Sequence, residues 1–336
     1  MKVLMISGDP EVLDPKSETG KRMEEYRSVL GELDILVCRG NVFNFVSGFF
    51  RGLKMMWLGY DIITAQDMEH SLLAWMFSKI YGVPWQMQIH TDIFSPYFIG
   101  QSMKNKIRAK LATFLLPRAA GIRVVSESLR FNLIKSYEVE PRKVSVLPVF
   151  VDIEKIKKSP IKTDLHKKYP GKFIILMASR ITKEKNIGLA IEAFSLARSG
   201  KRSPLPLLLI VGDGPEVQSL RQIAAENVTF ESHTDDLISY YKTCDLFLLA
   251  SNYEGYGRTL VEATAAGAKV LSSDVGVAPE ILKADSIFKV GDKADLISKL
   301  ENAILGQISY PRIPKAITKE GYLGLYKESL EACKNQ

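Results

Sequence analysis

Apolar runs of buried-strand length alternate through this chain with longer segments of helical periodicity, and the alternation occurs in two successive sets. KVLMIS, LDILVCR, DIITAQ, WQMQIH, GIRVVS and KVSVLP make the first; KFIILMAS, PLLLIVG, VTFES, LFLLA and KVLSSD make the second. Continuous apolar strands alternating with helices predict parallel sheets covered on both faces, an α/β class. Between the sets lies FVDIEKIKKSPIKTDLHKKYPGK, charged and holding two prolines, which reads as a junction. A length of 336 residues suits two domains. The expected division is 1–158, a first parallel α/β domain; 159–315, a second; and 316–336, a closing helix packing back on the first. Parallel units of this kind place ligands at the carboxyl ends of their strands. Facing each other, the two would share one cleft.

The charge is 45 Lys and Arg against 38 Asp and Glu, and residues 1–160 hold 22 against 17, so the first half carries +5 of the +7. This surplus favours anionic partners, but no basic, aromatic-interleaved groove pattern suggests nucleic acid. Cys38, Cys244 and Cys333 are odd in number, far apart and without metal-ligand spacing, which fits a reducing compartment. The opening MKVLMISGDPEVLD has too short an apolar run for a signal-peptide core. No segment offers 18 uncharged apolar residues, and the nearest, VFNFVSGFFRGLKMMWLGY, is broken by Arg51 and Lys54. A soluble or peripheral protein is expected.

Several strand-to-helix loops carry candidate chemistry. Arg180 and Lys185 sit in the loop after KFIILMAS, where two fixed cations suit a diphosphate and charge growing on a leaving phosphate. A solvated basic loop is the competing reading. Gly212 and Gly214 in GDGPEVQSLR would let backbone approach a ligand, or form a plain tight turn. SETGK, with Thr19 and Gly20, is a weaker phosphate-loop pattern, since Pro15 and Arg22 occupy its defining places.

In SNYEGYGRTLVEATAAG, a helix opens after Gly255, Tyr256 and Gly257, and the amides around Gly257, Arg258, Thr259 and Leu260 predict an anion site. Glu254 and Glu262 flank it, each able to accept from sugar hydroxyls; solvated glutamates are the alternative. His90 ends the strand WQMQIH with Asp92 following, placed to hydrogen-bond a substrate hydroxyl or carry a proton. The side chains of His70, His166 and His233 have no partner pattern. Base recognition is expected from backbone near Glu231 to Thr234, which includes His233.

These loops, in this order over nearly the whole chain, resemble the retaining nucleotide-sugar glycosyltransferases of glycosyltransferase family 4, which share the two-Rossmann GT-B fold. The matching runs include VVSESLR, VSVLPVFVDIEKI, ASRITKEKNIGLAIEAF, LLIVGDGPEVQSL, DDLISYYKTCDLFLLAS and EGYGRTLVEATAAGAKVLSSDVGVAPEIL. The most specific element is a Glu-x7-Glu signature at Glu254 and Glu262.

The resemblance implies that Arg180 and Lys185 hold the donor diphosphate, Glu262 the ribose, and Glu254 the transferred sugar. It places His90 near the reacting carbon, and Gly20, Thr19 and Asp92 on the acceptor side and its phosphate loop. The implied donor is a UDP- or GDP-sugar, the acceptor a glycan or lipid-linked hydroxyl, and no cofactor or metal is implied, the two cations doing a metal's work. This chain departs from the family where Val277 follows Gly276 in place of a second glycine, and where the longer SGDPEVLDPKSETGKR replaces a Gly-Gly loop. A GT-B epimerase, or a nucleotide-sugar-binding protein without catalysis, is the alternative.

SMKNKIRAKLATFLLPRAAG adds a membrane question. Ile107, Leu111, Phe114 and Leu115 form a helical stripe among Lys104, Lys106, Arg108 and Lys110, as in a helix lying on anionic lipid at the cytoplasmic face of a membrane. Lys104 falls within the stripe and blurs it, and a core-packing helix is the competing reading.

Overall fold

The structure, a computed structural model, describes residues 1–39, 42–197 and 204–334. The chain forms two compact units, Met1–Phe150 with Ile317–Gln336, and Val151–Ala316.

Unit 1 runs β1 (Lys2–Ser7), α1 (Glu18–Leu30), β2 (Glu32–Val37), α2 (Val42–Met56), β3 (Ile62–Gln66) and α3 (Asp67–Tyr81). It continues with β4 (Trp85–Ile89), α4 (Pro96–Gln101), α5 (Met103–Leu115), β5 (Gly121–Val124), α6 (Glu127–Tyr137) and β6 (Val144–Val146). Its sheet is parallel throughout, in the order β2-β1-β3-β4-β5-β6.

Unit 2 runs α7 (Ile153–Lys158), α8 (Leu165–Lys168), β7 (Lys172–Ala178), α9 (Ile187–Leu196), β8 (Leu205–Val211), α10 (Val217–Ile223) and β9 (Val228–Glu231). After these come α11 (Leu237–Thr243), β10 (Leu246–Leu249), α12 (Arg258–Ala265), β11 (Val270–Ser273), α13 (Ala278–Ile281), β12 (Ile287–Phe288) and α14 (Lys293–Ile304). This sheet is also parallel, in the order β12-β11-β10-β7-β8-β9. The two-residue β12 is too short to stand out as an apolar run. A last helix, α15 (Lys319–Lys334), belongs to unit 1.

The α/β class and the paired parallel sheets read from the sequence are those observed. The junction falls at Phe150 and Val151, not at 158, because α7 buries Ile153 and Ile156 against Ala265 in unit 2. In unit 1, α15 packs Tyr322, Tyr326, Leu330 and Cys333 into one cluster with Met23, Tyr26 and Leu30. Tyr26 and Tyr326 stack with ring centroids 4.2 Å apart. Gly121 opens β5 because a Cβ there would lie 2.2 Å from Cys333 Sγ. A side chain at that position would push α15 off the sheet.

In each sheet the chain reverses direction once, between β1 and β3 in unit 1 and between β7 and β10 in unit 2. Loops leaving the two strands at such a point diverge and leave a crevice. In unit 2 those loops are the ones holding Arg180, Lys185 and Glu254.

Candidate active site

The loops after β7 and β10 are bound to each other. Asn186 Nδ2 donates to Asn252 Oδ1 at 3.0 Å, and the Asn252 amide donates to the Glu184 carbonyl at 2.8 Å. Lys185 Nζ then meets Glu254 Oε1 at 2.6 Å, with side chains 16% and 14% exposed. Ser251 Oγ donates to the same oxygen at 2.8 Å. The cation and the acid read separately from the sequence are therefore one half-buried pair, where reduced solvent screening strengthens their attraction. Arg180 stands apart: its side chain is 80% exposed and lies 3.8 Å from Glu184.

The turn before α12 is set by Gly257, at φ +90°, and no side chain caps the helix. The Leu260 amide is not a free donor, since it bonds the Gly257 carbonyl at 3.0 Å. Among the described residues, the amides of Arg258 and Thr259 remain for an anion. Glu262, one helical turn on, takes Arg258 Nε at 2.7 Å on one oxygen. Tyr241 Oη approaches the other at 3.5 Å. Burial and the Glu262 charge hold the Tyr241 phenol well above its usual pKa, so it stays a donor.

Gly276 has φ +54°, and a Cβ there would lie 2.4 Å from the Tyr256 carbonyl oxygen. The buried Val277 donates its amide to that same oxygen at 2.8 Å, so the departure from a glycine pair still supports the turn through backbone. Gly212 and Gly214 have a protein reason of their own: added Cβ atoms would lie 2.0 Å from the Ser179 carbonyl and 2.2 Å from that of Ile181. They admit the loop that carries Arg180. The His233 amide is taken by Asp213 at 2.9 Å. Glu231 accepts Lys168 and Tyr240 as well as Tyr169.

In unit 1, His90 follows β4 with Nε2 3.1 Å from Gln88 Oε1. Gln88 Nε2 donates to Thr64 Oγ1 at 2.6 Å and to Tyr326 Oη at 3.3 Å, while Arg123 Nη1 donates to Gln88 Oε1 at 3.2 Å. A guanidinium only donates, so the amide's orientation is fixed and His90 must carry its proton on Nε2. Nδ1 then holds a lone pair. Burial, with the charges of Arg123 and Arg22, drives the His90 pKa down to about 3. An imidazole that weakly basic accepts a hydrogen bond from a hydroxyl but is a poor proton carrier at neutral pH. Burial raises the carboxyl pKa of Asp92, which accepts the Phe94 amide at 3.2 Å.

The SETGK segment is capped by the protein itself: Gly20 donates its amide to Ser17 Oγ at 2.8 Å, and a Cβ on Gly20 would lie 1.8 Å from the Asp14 carbonyl. That amide is therefore not open to a phosphate, and Thr19 sits half-buried beside it. A cavity of about 800 Å³ instead opens at the carboxyl ends of β1, β2 and β3, lined by Gly8, Gln66 and His70 and by the start of α2 and one side of α5.

Sequence reading missed Gln88, Arg123, Tyr241 and the Asn186–Asn252 tie. For the first two a signal existed: a glutamine alternating with apolar residues in WQMQIH, and an arginine inside the apolar run GIRVV.

The pattern described as Glycosyl transferases group 1 matches residues 160–320, and Glycosyltransferase Family 4 matches residues 16–155. The chain belongs to the group 1, family 4 glycosyltransferases. Among this family's curated members, it is 25% identical over 230 residues to UDP-Gal:alpha-D-GlcNAc-diphosphoundecaprenol alpha-1,3-galactosyltransferase of Escherichia coli, covering 64% of this chain and 58% of the relative. It is 29% identical over 234 residues to alpha-monoglucosyldiacylglycerol synthase of Streptococcus pneumoniae, covering 63% and 51%. The chain thus spans just over half the length of the first curated relatives it matches.

Two solved GT-B folds align over the chain. HepE of Anabaena, in complex with UDP-glucose, has TM-score 0.68 at 18% identity and 100% coverage of both chains. The lipopolysaccharide outer core galactosyltransferase WaaB has TM-score 0.71 at 15% identity and 99% coverage of both. Among the family 4 chain's described residues, no group of His, Cys, Asp and Glu is gathered as a metal site.

Proposed function

We propose that this chain is a retaining glycosyltransferase that moves a sugar from a UDP- or GDP-sugar to a hydroxyl of a glycan or lipid-linked acceptor, without a metal. The observation that carries the reading is the Lys185–Glu254 pair beside the uncapped start of α12. A nucleoside-diphosphate sugar presents hydroxyls, a doubly charged middle and more hydroxyls. Glu254, Lys185 with the α12 amides, and Glu262 present the complements in that order. The names of the E. coli and S. pneumoniae relatives, which carry diphosphoundecaprenol and diacylglycerol, support a lipid-linked acceptor.

In this reading the bond from the anomeric carbon to the diphosphate oxygen breaks while the acceptor oxygen attacks from the same face. The acceptor's proton passes to the departing diphosphate. Lys185, with Arg180 drawn in from solvent, balances the charge growing there. Glu254 accepts from the sugar's hydroxyls without taking a proton, and His90 accepts from a substrate hydroxyl at Nδ1.

The test is Glu254→Gln assayed against a panel of UDP- and GDP-sugars. Transfer is expected to fall by about a hundredfold or more, with donor affinity, read by calorimetry, changed much less. Turnover at the wild-type rate in this variant would remove Glu254 from the site. A transferred sugar of inverted anomeric configuration, seen by proton NMR, would overturn the retaining reaction.

A further inference from the structure

The helix α2 is built with its polarity reversed. Its inward residues are Gly48, Gly52 and Met56; a Cβ on Gly48 would lie 2.2 Å from Cys38 Sγ, and one on Gly52 2.2 Å from the Phe77 ring. Its outward side carries Phe43, Val46, Phe50 and, just past its end, Trp57, which are 82%, 48%, 61% and 84% exposed. Their spacing follows one helical stripe, with Lys54 inside it. Surface helices normally turn the apolar stripe to the core, and an exposed patch of this kind marks an interaction surface.

A second helix extends the patch. Both helices lean on α3: Phe49 of α2 stacks on Phe77 at 5.7 Å, and Phe114 of α5 meets Trp75 edge-on at 5.2 Å. Met103 and Ile107 of α5 are 69% and 62% exposed, and the cavity at the strand ends is lined by both helices, through Val42 and Phe45 and through Ile107 and Leu111. Only Leu115 of the stripe expected on α5 turns fully inward, with Asn105, Ala109 and Ala112.

Charge selects the occupant. Residues 42–58 and 102–118 hold no Asp or Glu, while they hold Arg51, Lys54, Lys104, Lys106, Arg108, Lys110 and Arg118. Glu69 of α3 reaches only Lys104 and Arg108; Lys54, Lys106 and Lys110 form no ion pair among the described residues. A second copy meeting this patch by two-fold symmetry would set cations against cations. Aromatic side chains ringed by unpaired lysines instead match a bilayer, with apolar chains below a negative headgroup layer.

We propose that the α2–α5 face docks on an anionic lipid bilayer, with Phe43, Phe50 and Trp57 entering the interface and Lys54, Lys106 and Lys110 meeting the headgroups. This goes beyond the transferase reading and stands without it, since docking is read with neither donor nor acceptor.

The test is flotation of the full chain with phosphatidylcholine vesicles and with vesicles containing roughly a third phosphatidylglycerol. Of the three tryptophans Trp57 is the exposed one, so its emission should shift to the blue on binding. Partition into anionic vesicles should weaken by at least about tenfold in Phe43→Ser/Phe50→Ser/Trp57→Ser. It should weaken by about fivefold for each lysine neutralised in Lys54→Gln/Lys106→Gln, which leaves the apolar surface intact. Phe131→Ser, an exposed phenylalanine on α6, should change nothing. Absence of partition at low salt, or partition unchanged in both multiple variants, overturns the proposal. Self-association abolished by the triple substitution would put a second copy on this face and overturn it equally.

Discussion

The two units share a sheet architecture and dispose of charge in opposite ways. In unit 2 the charged groups stand in loops at strand ends or in the helix that follows, and answer one another: Lys185 with Glu254, Arg258 with Glu262 within α12, Arg180 near Glu184. In unit 1 Arg123 lies 3% exposed under the sheet with only neutral partners, donating to Gln88 and Tyr322, while phenylalanines and a tryptophan stand in solvent on α2. Unit 2 pairs its charges with opposite charges at the strand ends, the Lys185–Glu254 pair half-buried. In unit 1 burial, with the Arg123 and Arg22 cations, holds an imidazole neutral, and apolar side chains remain exposed on α2.

The contrast can be broken hardest in unit 2. Lys185→Met leaves Glu254 without its cation, and transfer should fall by about 10²–10³-fold, read as labelled sugar moved per minute. A loss under tenfold would mean that the pair is structural.

In unit 1, Arg123→Met removes a charge that depresses the His90 pKa. Burial is the larger cause and remains, so that pKa should climb part of the way from about 3, measured by nitrogen-15 chemical shifts, which also report whether the proton stays on Nε2. A depressed His pKa makes the unfolded chain bind the extra proton between about 3 and its ordinary 6.5. Stability therefore rises with pH across that window and levels off above it. The variant should gain less stability across that window in denaturant titrations, by about 1.4 kcal/mol for each unit recovered. An unmoved His90 resonance would detach Arg123 from it.

The smallest effect belongs to Arg258→Ala. Its partner contact is short, but the arginine is 66% exposed, so unfolding should shift by about 0.5 kcal/mol or less.

The same contrast explains what could be read without coordinates. Glu254, Gly257 and Glu262 stand within one turn and one short helix, so their spacing alone announces them. Lys185 and Glu254 are 69 residues apart, and no local spacing predicts their bond; only the strand order β10-β7 brings their loops together. Glycines were the most ambiguous signal. Gly212 and Gly214 read equally as room for a ligand or as a tight turn, and Gly20 as a weak phosphate loop; in each, an added Cβ would meet a neighbouring carbonyl, so the fold alone gives a reason for the glycine. The run VFNFVSGFFRGLKMMWLGY stood out as an interrupted apolar stretch. Its sense was hidden because Gly48 and Gly52, which carry almost no hydrophobic weight, mark the face that is buried.

The place of α15 has a consequence for the order in which the molecule is made. The helix that covers Gln86, Gln88 and Arg123 through Ser329, Tyr326 and Tyr322 follows all of unit 2 in sequence. During synthesis the residues of unit 2 are complete first, while the earlier sheet must wait, its polar floor open to water, for a segment still inside the ribosome. Of the two units, the one that comes earlier in the chain is thus the later to close.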